Sequence, residues 1–181
     1  MTKLNNCLQQ FQIYVGTYSK YNSGSIQGGW IQLSDYANYD ELLQAMRELH
    51  QDEDDPEFMF QDYECYEFFI KQKLISECHL SANIYEIAEE INNSDYDFEV
   101  IEAYAECMGY YHKDVSDLLE SLSDSYYYGE YSSDEDFVQI TLEQDGSIPE
   151  NLPSYIYIDW EATARHLMYD YMSSNGYYFR N

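Results

Sequence analysis

Basic residues are what this chain most lacks. Eight Lys and Arg stand against 35 Asp and Glu in 181 residues, a formal net charge of −27. So few cations argue against direct binding to nucleic acid or to an anionic membrane, both of which recruit Lys and Arg. Long apolar runs are also missing, and none approaches the roughly 18 residues of a membrane span. The first twelve residues hold one Lys and no apolar core, which is not the pattern of a secretory signal. Cysteine is limited to Cys7, Cys65, Cys78 and Cys107, with no C-x-x-C spacing. Free thiols and a cytoplasmic location are the expectation. No internal repeat and no long linker interrupts the chain.

Catalytic and metal signatures are equally scarce. G-x-S-x-G, P-loop and dinucleotide fingerprints do not occur. A calcium loop beginning at Asp95 places Asp97, Glu99 and Glu106 at suitable positions, but Val100 sits where glycine is needed. Windows beginning at Asp52 and Asp134 fail at Pro56 and Val138. The four His (His50, His79, His112, His166) lack the recurring spacing of a zinc site. A carboxylate pair of the kind that hydrolyses glycosides arises by chance among 35 acids and carries no information. No catalytic residue, metal or cofactor is therefore expected.

What is abundant is carboxylate mixed with aromatic. The stretch Asp52-Glu53-Asp54-Asp55-Pro56-Glu57-Phe58-Met59-Phe60-Gln61-Asp62-Tyr63-Glu64 states the theme, which recurs over 95–106 and 126–137. Strongly acidic chains poor in aromatics are disordered. This one is 45% hydrophobic and 18% aromatic, with 22 Tyr, so it has a core to bury.

The pattern predicts an α+β chain. Gln12 to Thr17 and Trp30 to Leu33 are β-branched or aromatic and predict strands, with loop at 21–25 and 28–29. Asn38-x-x-Glu41 resembles a capping box and opens a helix carrying Leu42, Met46 and Leu49 on one stripe, ending near His50. Phe58 to Tyr63 predicts a third strand. From about Phe68 the period becomes helical. Ser81 precedes a helix with Ile84, Ile87, Ala88 and Ile91 inward and Glu86, Glu89 and Glu90 outward. Ser94 or Asp95 precedes another, with Phe98, Ile101, Ala105 and Met108 inward, Glu99, Glu102 and Glu106 outward, and Gly109 as its stop. Val115, Leu118, Leu119 and Leu122 predict a short helix, and Tyr126 to Tyr131 a strand. Ser132 or Ser133 opens a helix whose first turn, Asp134-Glu135-Asp136, suits the positive end of its dipole. Phe137, Val138 and Ile140 form its inner face and Gly146 its end. Tyr155 to Ile158 predicts a short strand or turn. Asp159 caps a helix with Trp160, Ala164, Leu167 and Tyr171 inward, and Gly176 to Phe179 closes the chain as a strand. The division is a sheet-plus-helix domain at 1–66, a helical middle at 67–113 and a mixed C-terminal domain at 114–181.

Few of these acids have a basic partner, so pairing along helices is not their purpose. B-DNA carries about one negative charge per 1.7 Å of axis, and at that density 27 charges span about 46 Å, some 13 base pairs. A compact chain of this length is about 40 Å across. An elongated molecule thus matches duplex DNA in charge per length, and attracts the basic groove of a DNA-binding protein. The carboxylates assigned to such an array are Asp52, Glu53, Asp54, Asp55, Glu57, Asp62 and Glu64; Glu86, Glu89, Glu90, Asp95, Asp97, Glu99, Glu102 and Glu106; and Asp134, Glu135 and Asp136.

Several motifs point to a family. They are Tyr14-Val15-Gly16-Thr17-Tyr18, Lys20-Tyr21-Asn22-x-Gly24-Ser25-Ile26-x-Gly28-x-Trp30, His50-x-Asp52-Glu53-x-Asp55-Pro56-Glu57 and Gln61-Asp62-Tyr63-Glu64. Gly129-Glu130-Tyr131, Asp134-Glu135-Asp136-Phe137, Ile148-Pro149-Glu150-x-Leu152, Tyr155-Ile156, Asp159-x-Glu161, Ala164-Arg165 and Gly176-Tyr177-Tyr178-Phe179 follow in order. Together they resemble the ArdA-type antirestriction proteins over nearly the whole chain. The resemblance implies an element-encoded mimic of bent B-form DNA that fills the DNA-binding channel of type I restriction–modification enzymes, contacting their specificity and modification subunits. It also implies an elongated three-domain fold and a homodimer formed through the C-terminal domain, with Tyr126, Tyr127, Tyr128 and Tyr131 as candidate contacts. A mimic directed at another basic DNA-binding protein, such as a nucleoid protein, is the alternative; an acidic enzyme or ion-binding domain is a third.

Overall fold

Period-two alternation over Gln12–Thr17 buries Ile13 and Val15 and leaves Tyr14 on the opposite face, as a half-buried strand requires. This is β1 of a computed structural model that describes residues 7–149 and 151–180. Glu150 of the Pro149-Glu150 motif, and the first six residues of the stretch read as lacking a signal, lie outside the described residues. These residues divide into two compact units, one within Met1–Phe98 and Asp114–Ser116, the other within Glu99–Lys113 and Asp117–Asn181.

In the first unit Thr17 caps a short helix, α1 (Tyr18–Asn22), so Tyr21 and Asn22 are helical rather than loop. β2 (Gly29–Gln32) stops one residue before Leu33, which turns into a 3-10 segment and is fully buried. Helix α2 (Tyr39–Leu49) starts at the capping box: Asn38 Oδ1 accepts from Glu41 N at 3.0 Å, and Glu41 Oε2 accepts from Ala37 N at 2.9 Å. Leu42 and Met46 are buried, whereas Leu49 is 39% exposed. β3 (Phe58–Glu64) completes an antiparallel sheet of order β2-β1-β3. The stretch expected to be helical from Phe68 also holds a hairpin. Helix α3 (Glu67–Lys71) leads into β4 (Ile75–Ser76) and β5 (His79–Leu80), paired antiparallel. Helix α4 (Ile84–Asn93) buries Ile84, Ile87, Ala88 and Ile91, as the spacing predicts. Its N-cap is Asn83, not Ser81, and no side chain caps it. Phe11, Phe68, Phe69 and Phe98 form an aromatic core with Tyr66, the ring centroids 4.6 to 6.1 Å apart.

Helix α5 (Phe98–Cys107) begins with that Phe98 and continues into the second unit, where Ile101, Tyr104 and Ala105 are buried. Gly109, at φ 63°, ends it. The Ser94 hydroxyl does not cap α5; it closes a turn on Tyr96 instead. Helix α6 (Val115–Asp124) buries Val115, Leu118 and Leu122. Strand β6 (Tyr126–Glu130) pairs with β8 (Tyr177–Arg180), which also pairs with β7 (Met172–Ser174), giving the order β6-β8-β7. Helix α7 (Asp134–Gln144) has Ser133 as its N-cap, and α8 (Trp160–Leu167) has Asp159, whose carboxylate accepts from Ala162 N at 3.0 Å. Phe137, Val138, Ala164 and Tyr178 centre the core of this unit. Tyr171 packs there from beyond the end of α8 rather than from within it, and of the strand or turn expected at 155–158 it is the turn that forms, closed by Ile156 N donating to the Pro153 carbonyl at 2.9 Å. No helix among the described residues is long and apolar enough to cross a membrane.

Candidate functional site: an array of carboxylates

Of the eighteen carboxylates singled out above, Glu53, Glu102, Glu135 and Asp136 are half-buried and the rest are exposed. The elements explain why. On α4 the apolar stripe faces the core, so Glu86, Glu89 and Glu90 fall on the opposite side. On α5 the same rule exposes Glu99 and Glu106. On β3 alternation sends Asp62 and Glu64 outward. The loop 52–57 carries Asp52, Asp54, Asp55 and Glu57 at its surface.

Cations do not neutralise this array. The ion pairs include those of Lys20 with Asp52 (2.8 Å) and Glu53 (3.7 Å), Lys71 with Glu67 (3.3 Å) and Arg165 with Glu161 (2.7 Å), and eight Lys and Arg cannot match 35 acids. Acids at i and i+3 or i+4 on one helix repel each other, so their spacing on α4 costs stability that no ion pair among the described residues offsets.

Some of the acids also hold the fold. Lys20 sits at the centre of a compact network with its side chain only 11% exposed. Its ammonium donates to Asp52 Oδ1 and, at 2.9 Å, to Nδ1 of buried His50. His50 Nε2 lies 3.1 Å from the Val15 carbonyl, which only accepts, so the proton is on Nε2 and Nδ1 receives the Lys20 bond. Glu53 accepts from Thr17 Oγ1 at 2.6 Å. The Lys20 bond holds the Asp52 carboxyl below the usual carboxylate range. Two family-like motifs, Lys20-Tyr21-Asn22 and His50-x-Asp52-Glu53, thus meet at one point.

The second unit repeats the pattern at α7. Ser133 Oγ accepts from Asp136 N, and Asp136 Oδ2 accepts from Ser132 N (3.2 Å) and Ser132 Oγ (2.9 Å). Glu135 is held below the usual range by a hydrogen bond from Ser133. Asp134 accepts from Tyr178 OH at 2.7 Å. Glu106 accepts from Ser174 at the end of β7 and from Asn175 in the turn to β8, and Glu64 pairs with Gln12.

The tyrosines of β6 have different surroundings. A register shift between Tyr127 and Gly129 inserts Tyr128 as a bulge. Tyr128 and Tyr131 then pack on Phe137 within their own unit, at 5.3 and 5.1 Å. Tyr127 stacks on Phe179, and Tyr126 stands 64% exposed at the sheet edge. The structure brings together no group of three or more His, Cys, Asp or Glu suited to a metal among the described residues.

Fold and site together define an acidic α+β protein whose charge is displayed rather than paired. A model of the ArdA antirestriction protein family matches residues 13–179, from the second residue of β1 to the third of β8, and the chain belongs to that family. No curated protein matches it. Membership makes antirestriction its function and implies an interaction with restriction–modification enzymes.

Proposed function

We propose that the chain acts as a DNA mimic. It occupies the DNA-binding channel of a type I restriction–modification enzyme and shields incoming DNA from restriction. The observation that carries this reading is the array itself: exposed carboxylates with almost no cationic partners in a chain of net charge −27. Such an array offers a basic channel the field of a phosphate backbone, without a cleavable bond or a readable base. The chain performs no reaction of its own on this reading and acts in the cytoplasm. It works as a homodimer joined through the C-terminal region, with Tyr126 on an exposed edge strand as the contact its surroundings leave most open.

The test is competition between the protein and duplex DNA for a purified type I methyltransferase. Displacement of DNA that weakens with added salt is expected. Binding of naked DNA by the protein, or inhibition that leaves DNA occupancy unchanged, overturns the proposal. A parallel arm with a basic nucleoid protein distinguishes a restriction-specific mimic from a general one.

A further inference from the structure

The outer face of the first sheet carries something other than acid. Tyr14 on β1 is paired with Trp30 on β2 and with Asp62 on β3, so an indole, a phenol and a carboxylate lie in one row. The Tyr14 and Trp30 rings meet edge to face at 5.6 Å. The register slips between Tyr14 and Val15, leaving Gln61 as the extra residue on β3. Its side chain lies over Gly16, where any Cβ would come within 2.9 Å of the Gln61 amide. Tyr14 OH donates to the Ile26 carbonyl at 3.0 Å, and Phe60 N donates to the Glu77 carbonyl at 2.7 Å. These bonds bring the loop after α1 and the β4–β5 turn to either side of β3.

The result is an open groove of about 770 Å³, its walls including Tyr14, Tyr21, Ile26, Gln61, Asp62 and Glu77. No Lys or Arg lines it. Tyr21 is 51% and Ile26 73% exposed, a large apolar surface for such a charged molecule. Gln61 Nε2 is shielded from water, yet no acceptor meets it among the described residues. A buried donor without an acceptor costs free energy that a bound carbonyl would recover.

Flat aromatic walls, two carboxylates and an unmet donor specify an occupant. An anion is repelled by Asp62 and Glu77, and an apolar segment leaves both acids unused. A guanidinium uses everything present: it stacks on the tyrosines and donates to the carboxylates in a fork that ammonium lacks. Gln61, on turning its amide into the groove, donates to the backbone carbonyl beside it. We propose that this groove takes an arginine side chain projecting from the partner protein, anchoring a complex whose remaining contacts are diffuse. The proposal rests on the mimic reading to the extent that a DNA-binding channel supplies the arginine.

The test separates the two. Isotope-labelled protein is titrated with Nα-acetyl-arginine methylamide, and with its lysine counterpart, at physiological salt. Saturating amide shifts confined to Tyr14, Gly16, Tyr21, Gln61 and Asp62, and seen only with the arginine probe, are expected. Shifts spread over the acidic surface, or equal for both probes, overturn the groove whatever becomes of the mimic. In the inhibition assay Tyr21→Ala and the double variant Asp62→Asn/Glu77→Gln are compared with Glu86→Gln/Glu89→Gln, which removes the same charge from α4. Groove variants that are folded by circular dichroism should weaken inhibition about tenfold or more, as loss of an anchor does, and the α4 variant about twofold or less. Equal effects of the groove and α4 variants refute the anchor while leaving mimicry intact. Groove binding to the arginine probe without competition against DNA refutes mimicry and leaves the groove.

Discussion

Lys20 shows how a chain so short of cations spends one. A surface lysine facing an acid contributes little, because water screens the pair. Lys20 instead lies almost covered, bridging α1 to the 50–53 segment through His50, Asp52 and Glu53. Lys20→Met would leave the His50 Nδ1 acceptor buried without a donor and remove the cation that two acids share. We expect it to lower unfolding stability by about 1–3 kcal/mol, read from urea midpoints. An unchanged midpoint would show that the network is incidental. The thiols supply a second prediction at this scale. Burial pushes Cys7, Cys65 and Cys107 each from 9.0 up to about 11, whereas Cys78 is exposed on the β4–β5 turn. A thiol reagent at pH 8 should therefore modify one site, Cys78, in the native protein and all four only after denaturation. Neither the Lys20 network nor this ranking was visible in the sequence. Lys20 and His50 stand 30 residues apart in separate motifs, and nothing in their spacing shows that they converge.

At the scale of elements, legibility followed length and period. Helices of ten or eleven residues with an apolar stripe, such as α2, α4 and α6, stand where the spacing placed them, and Asn38, Ser133 and Asp159 cap as their residue types predict. The misses are short or local: the two- and three-residue strands β4, β5 and β7, too short to show any alternation, the five-residue helix α1, and the Ser81 and Ser94 caps. One of them did leave a signal. Asn175-Gly176, at φ 51° and 85°, occupies the left-handed conformations of a tight hairpin turn, which only glycine adopts freely at its second position. That dipeptide marks β7–β8. No comparable signature marks Glu77-Cys78 between β4 and β5. The acids of α7 are also more than display, since Asp134 holds Tyr178 and Asp136 completes the cap. Ser133→Ala should cost about 1 kcal/mol of thermal or chemical stability. Asp134→Ala should cost about 1–2 kcal/mol through the lost bond from Tyr178. If Asp134→Ala proves neutral, the acid belongs to the display alone.

For the whole molecule, pH acts in opposite senses at the two ends of its range. Cys7, Cys65, Cys107, Tyr39, Tyr85 and Tyr178 all have thiols or phenols raised chiefly by burial, and Asp134 adds to the effect at Tyr178. The folded chain keeps these protons to higher pH than the unfolded chain does. The contribution of the three thiols is therefore complete below about pH 9 and is lost as pH rises through about 11, and that of Tyr85 and Tyr178 persists further. Asp52, Glu135 and Asp145 run the other way, each held below its ordinary value by hydrogen bonds, and their contribution disappears as pH falls below about 4. Melting curves should show a steep alkaline loss beginning near pH 9. At neutral pH the carboxylates repel one another across the whole surface, so added salt should raise the melting temperature. A melting temperature independent of salt would mean that the charges are spaced too widely to repel.

Outside the groove on the first sheet that field is a sum, so function there should degrade in proportion to the charge removed rather than at single residues. Each exposed carboxylate contributes a screened interaction of roughly 1 kcal/mol or less with a basic partner. The residues for the test are those that the fold does not use: Asp54, Asp55, Glu86, Glu89, Asp95 and Asp97 are exposed, and none has an ion pair among the described residues. Asp134, Glu106, Glu53 and Asp136 are unsuitable, since neutralising them removes a hydrogen bond as well as a charge. Asp54→Asn or Glu89→Gln alone should change inhibition by less than about twofold, which is within one such screened contact. Neutralising all six should erode it progressively, and Asp-to-Glu or Glu-to-Asp exchanges at the same positions should do little. The measurement is inhibition of a type I enzyme against the number of acids neutralised, with folding followed by circular dichroism. A smooth decline identifies a distributed field. An abrupt loss on changing one of these six, in protein still folded, would identify a specific binding or catalytic acid and end the case for mimicry.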